Sequence, residues 1–161
     1  MPLSNFERMI QLAEDVFDAR HDPDQLDVNE EVIKRFQLIH PASVGEYNEG
    51  EGPIAWVLVL PTTIQLMNQF IEGKINEKEL FYQTPLQIPY EAIYLCSAMV
   101  LDEYRRQGIA KRLTLDAINS IRKDHKIQCL FYWPFTKEGD LAAKSLEEAC
   151  ELPLLLRMAQ P

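Results

Sequence analysis

Cysteine, histidine and glycine are scarce in this chain, with three, three and six residues among 161. Cys96, Cys129 and Cys150 are odd in number and widely spaced. That excludes a disulfide framework and offers no zinc spacing, so each is expected to be a buried free thiol. His21, His40 and His125 sit among charged residues or beside Pro41, also without ligand spacing. They are expected to face solvent, and no metal site is expected. No apolar run approaches the roughly 18 residues of a membrane helix, and Met1 to Arg8 lack the basic-then-apolar order of a secretory signal. A cytoplasmic protein with no membrane partner follows as the expectation. Basic charge is short too: sixteen Lys and Arg against twenty-five Asp and Glu give a net charge of -9. Such a balance repels a phosphate backbone, so no nucleic-acid partner is expected, and a cationic small substrate suits the field better.

The residues that are present alternate between helical and strand patterns. Ser4 with Glu7 reads as a capping box, and Phe6, Ile10, Ala13 and Phe17 recur at helical spacing, predicting a helix over 4–20. A turn over 21–24 separates it from a second helix, capped by Asn29, with Val32, Phe36 and Ile39 on one face, stopped at His40-Pro41. Residues 43–53 are rich in glycine and acid and read as a loop. The apolar run 54–60 reads as a buried strand closed by Pro61. Ile64, Met67 and Ile71 form a helical stripe, and Asn76 with Glu79 opens another short helix. Residues 92–101 are a second apolar strand, and Ile109, Leu113, Ala117 and Ile121 make the stripe of a helix of about fifteen residues. A third strand over 127–135, a helix over 140–149 and a strand over 152–157 complete the order. With no repeat or linker, one domain over 1–161 is expected, of mixed α/β class with parallel pairing at its centre.

The chemistry is concentrated between the second strand and its helix, in Arg105-x-x-Gly108-x-Ala110. The first N–H groups of a helix have no internal partner and carry the positive end of its dipole, so a diphosphate placed there meets several aligned donors. Gly108 and Ala110 keep side chains out of its way. Arg105, Arg106 and Lys111 add local positive charge to an acidic protein.

These residues, from Ala98 to Leu113, resemble the coenzyme A motif of the GCN5-related N-acetyltransferase (GNAT) family. The resemblance implies a GNAT-like, partly parallel central sheet flanked by helices, with a reduced or altered N-terminal half in which only 54–60 reads as a strand. It implies that the backbone of Met99, Val100 and Leu101 pairs with the pantetheine arm as an added strand would. The amides of Arg106, Gln107, Gly108, Ile109 and Ala110 would hold the pyrophosphate, with Arg105 and Lys111 beside them. The third strand would splay from the second to make the slot where acetyl group and acceptor meet. The activity implied is transfer of an acetyl group from acetyl-CoA, without a metal, to a primary amine of a small molecule or a protein by direct attack.

For the base that frees the amine, the sequence offers Glu46, Glu49 and Glu51 in the acidic segment and Glu91 ahead of the second strand. For the leaving thiolate, the resemblance places Glu147 where a tyrosine is usual, which leaves Tyr132, Ser145, Cys150 or water. Two other readings stay open: a non-catalytic acyl-CoA-binding sensor or interaction module on the same fold, and a protein-interaction domain without a nucleotide ligand. Monomer and homodimer both fit.

Overall fold

The structure, a computed structural model, describes residues 3–20, 26, 29–134 and 137–157, without the side chains of 16–20, 138 and 139. The side chain of Phe17 in the first stripe, His21, the turn over 21–24 and the expected strand end at Phe135 lie outside what is described. The elements run α1 (Asn5–Arg20), α2 (Glu30–Ile39), β1 (Val44–Asn48), β2 (Pro53–Thr62), α3 (Ile64–Ile71), α4 (Glu77–Gln83), β3 (Ala92–Val100), α5 (Ile109–Asp124), β4 (Cys129–Tyr132), α6 (Lys137–Cys150) and β5 (Leu154–Leu156). The five strands form one sheet in the order β1-β2-β3-β4-β5. Pairing is antiparallel from β1 to β3 and parallel from β3 to β5. The class is therefore α/β, with a mixed sheet flanked by helices.

Most helix starts follow the capping chemistry of the sequence. Ser4 Oγ accepts the Glu7 N–H at 3.1 Å, Asn29 caps α2, and Asn76 with Glu79 closes a reciprocal capping box on α4. The face that α1 buries differs from the expected one. Met9 is fully buried, whereas Phe6 is 55% and Ile10 40% exposed. The apolar stripe of α1 is wide enough to offer two faces, and the sheet takes the one centred on Met9 with Leu12 and Ala13. Phe6 instead meets the edge of Trp56, ring centroids 6.1 Å apart.

Two strand boundaries also differ. The glycine-rich segment read as a loop contains β1, which pairs with β2 from Val44↔Leu58 to Asn48↔Pro53. Gly45 is there for close approach: a Cβ on it would lie 2.6 Å from Val57 Cγ2. The exposed Glu46, Tyr47 and Asn48 suit an edge strand. Pro61 does not end β2, which continues to Thr62. Pairing with β1 has stopped by then, so proline sits where β2 is itself an edge on that side.

The same Gly45 position faces Leu113 of α5, while Trp56, one residue along from Val57, meets Phe6 of α1. Successive strand residues point to opposite faces, so α1 and α5 cover opposite sides of the sheet. On the α1 side Phe70 of α3 packs edge-on to Tyr94 and Phe131. Each such buried aromatic contributes about 1.5–3 kcal/mol by leaving water. The three cysteines are buried thiols, as expected.

Candidate functional site

The geometry that matters begins with an extra residue in β3. Leu58 pairs with Ser97 and Val59 with Leu95, leaving Cys96 as a bulge. A bulge bends its strand, and β3 accordingly pairs with β4 only through Ala92, Ile93 and Tyr94. Residues 95–100, about 20 Å of strand, keep β2 on one side and, among the described residues, no strand on the other.

Backbone direction then separates the expected contact residues. Leu101 donates its N–H to the Ile54 carbonyl at 2.9 Å, so that group is committed to β2. Alternation along an antiparallel ladder sends the N–H and C=O of Val100 the opposite way, to the open side, and those of Met99 toward β2. Ala98 shares the orientation of Val100 and is exposed. Sequence reasoning named Met99 and Leu101 and missed Ala98, although strand alternation was available as a signal.

Past β3 a short 3-10 turn, Asp102–Tyr104, leads into Arg105. Arg106 (φ 65°) and Gly108 (φ 74°) are both left-handed. Gly108 is the N-cap of α5 and has no side chain with which to cap that end. The first helical bond runs from Arg112 N–H to the Gly108 carbonyl at 3.0 Å, so the N–H groups of Ile109, Ala110 and Lys111 have no intrahelical acceptor. A Cβ built on Gly108 meets nothing within 4 Å. Arg106, Gln107 and Lys111 are exposed around this space. Arg105 is engaged inward, its Nε donating to the Val100 carbonyl at 3.1 Å and its Nη1 lying 2.9 Å from Asp102 Oδ1. From the other side Arg8 of α1 grips Glu103 at two points, 2.8 and 2.6 Å. That pairing, across 95 residues of chain, left no sign in the sequence.

The candidate acids and bases are dispersed. Glu46 stands in a cross-strand row with Trp56 and Met99, near the end of the sheet that carries the turn. Its carboxylate accepts from Trp56 Nε1 at 2.8 Å and Asn48 Nδ2 at 3.2 Å. Glu49 and Glu51 are exposed in the β1–β2 turn at the same end. Glu91 precedes β3 at the opposite end, about 30 Å along the strand from Val100, and accepts the Ile64 N–H at 3.4 Å. Tyr132 is on the α5 side of the sheet and donates to Asp140 Oδ1 at 2.7 Å. Burial, and then the bond to Asp140, push its hydroxyl up to about 12.

Glu147 accepts the Leu154 N–H at 3.0 Å, fixing α6 to the start of β5. Cys150 is buried, and that burial raises its thiol. Ser145 is half-buried on α6. Of the histidines, His40 is buried at 7% exposure and His125 half-buried, against the expected solvation; both rings serve as acceptors for backbone N–H groups.

Among the described residues, no three His, Cys, Asp or Glu side chains come together as metal ligands, and no helix is long and apolar enough to cross a membrane. Neither a comparison with protein-family models nor one with curated proteins gives a match.

Proposed function

We propose that the chain binds a coenzyme A thioester on a GNAT-like fold and transfers the acetyl group to a primary amine. The observation that carries this reading is the opening of β3 away from β4, leading directly into an α5 N-terminus whose N-cap is a glycine. The backbone of Ala98 and the N–H of Val100, whose carbonyl accepts from Arg105, offer the open strand edge to an amide-bearing arm. The N–H groups of Ile109, Ala110 and Lys111, with the exposed Arg106 and Gln107, suit a pyrophosphate, and the empty space over Gly108 leaves room for it. Arg105 braces the turn through its contacts with Val100 and Asp102.

When bound, the thioester supplies an activated acetyl group, whose C–S bond breaks as a C–N bond to the amine forms. The attacking amine must be neutral, which costs about 4 to 5 kcal/mol at pH 7 for a lysine-like group. Glu46 is the carboxylate best placed to take that proton, on the α1 side near the turn, directly or through water. Glu91 is at the wrong end of β3.

A second reading, binding without turnover, draws support from the same side chains. Glu147 and Tyr132 are each engaged by a structural partner, which leaves no evident acid for the departing thiolate. Calorimetry with coenzyme A tests the site itself, and no heat at millimolar ligand overturns both readings. Thiol release from acetyl-CoA over a panel of amines then separates them, because a binder gives no acceptor-dependent thiol.

A further inference from the structure

Helix α5 begins at the turn just described and ends, about 24 Å away, at two histidines that the proposed function does not use. His40 caps the C-terminus of α2. Its Nδ1 accepts the Ala42 N–H at 3.0 Å, and its Nε2 lies 2.7 Å from Asp124 Oδ2. His125 caps α5, and its Nδ1 accepts the Tyr90 N–H at 3.2 Å. The two imidazole centroids are 5.9 Å apart, and His125 also packs on the Tyr90 ring at 4.9 Å.

A ring nitrogen that accepts from a backbone N–H carries no proton, so in this arrangement both imidazoles are neutral with the proton on Nε2. For His40 that proton points at Asp124. A second proton on either ring would set one N–H against another, at Tyr90 or at Ala42. With both rings charged, two positive charges would lie 5.9 Å apart, while the Asp124 carboxylate contacts His40. Among the described residues the titratable groups that act on His125 are His40 and Asp124, while the Tyr90 hydroxyl is committed to the Pro85 carbonyl at 2.6 Å. Protons reach His125 through a recess of about 390 Å³ bordered by Leu38, Ile39, Ile88, Pro89 and Asp124.

We propose that His125, packed against His40, is a proton-sensitive latch. While its ring is neutral it joins the approach to β3 to the end of α5, and a second proton on the ring releases them. Burial, followed by the charge of His40, holds His125 below its ordinary value, with Asp124 opposing. A histidine depressed in the fold contributes its full stabilisation above the unfolded value near 6.5. It loses that contribution as the pH falls through the window beneath.

The test is amide exchange at Tyr90 and Ala42, read by NMR on the full chain from pH 7.5 to 5 and corrected for intrinsic rates. Protection at Tyr90 is expected to fall by up to about tenfold per pH unit as the pH drops below the unfolded histidine value near 6.5, and to level off once His125 is protonated in the fold. His125→Asn keeps an acceptor oxygen for Tyr90 and cannot titrate, so its Tyr90 protection should be flat with pH. Flat protection in the wild type, or an equal fall in His125→Asn, overturns the proposal. Should that variant not fold, ring nitrogen shifts of wild-type His125 decide: a midpoint at the pH where the loss of Tyr90 protection levels off supports the latch, and a midpoint elsewhere overturns it.

Discussion

Arg8 and Glu103 meet at two points, Nη1 to Oε2 at 2.8 Å and Nη2 to Oε1 at 2.6 Å, joining the start of α1 to the turn that precedes α5. The bond from Arg8 holds the Glu103 carboxyl down to about 2, from 4.5. A carboxyl depressed in the fold stabilises at pH values above its unfolded value and loses that contribution as the pH falls through the folded one. Glu103→Gln should therefore lower the thermal midpoint at pH 7, with the gap to wild type narrowing below about pH 4.5 and closing near pH 2. Added salt should narrow it as well, since the pair is exposed. A gap that stays constant from pH 7 to pH 2 would show that Glu103 acts through something other than this ion pair.

Gly108 sits at φ 74° with open space where a Cβ would go. Gly108→Ala should therefore cost about 1–2 kcal/mol of stability from left-handed backbone strain alone, without a clash. If a pyrophosphate occupies that space, Gly108→Glu should abolish coenzyme A binding by calorimetry while costing no more stability than the alanine. Equal affinity in wild type and Gly108→Glu would remove the turn from the site.

Much of this architecture could be read from residue patterns, and the failures share a cause. Continuous apolar runs such as 54–60 and 92–101 announce strands buried on both faces, and Asn29 and Asn76 announce helix starts. Strand β1 announced nothing, because an edge strand needs few apolar residues and Gly45 looks like a loop residue until Val57 is opposite it. The buried side of α1 was undetermined for a related reason: Phe6 and Met9 are equally apolar, and only the sheet chooses. At the site, the turn from Arg105 to Ala110 was legible through local rules of helix termini. Which backbone groups face the opening depends on the register of β2 against β3, and on the bulge at Cys96, neither of which leaves a local mark.

Gly45→Ala tests the β1–β2 approach. Its Cβ would meet Val57 Cγ2 at 2.6 Å, closer than packed atoms allow. The substitution should cost about 1–3 kcal/mol in chemical denaturation. Val57→Ala in the same chain should recover part of that cost, because it removes the atom that clashes. Additive losses in the double variant would indicate that the two positions do not touch.

The buried carboxylate of Glu77 has a different role from the exposed candidates Glu46 and Glu49, although nothing in composition distinguishes it. It is 1% exposed, accepts the Leu26 N–H at 2.7 Å and the Tyr94 hydroxyl at 2.5 Å, and so joins α4, β3 and the α1–α2 connection. Removing it leaves two buried donors without this acceptor, at about 1–3 kcal/mol each. Glu77→Ala is thus expected to be among the most destabilising single changes in the chain, and Tyr94→Phe to cost less, since Leu26 keeps its partner. In a double-mutant cycle measured by denaturation, Tyr94→Phe should cost markedly less in the Glu77→Ala background than in wild type. An equal cost in both backgrounds would mean that the Tyr94 hydroxyl derives its stability from another neighbour.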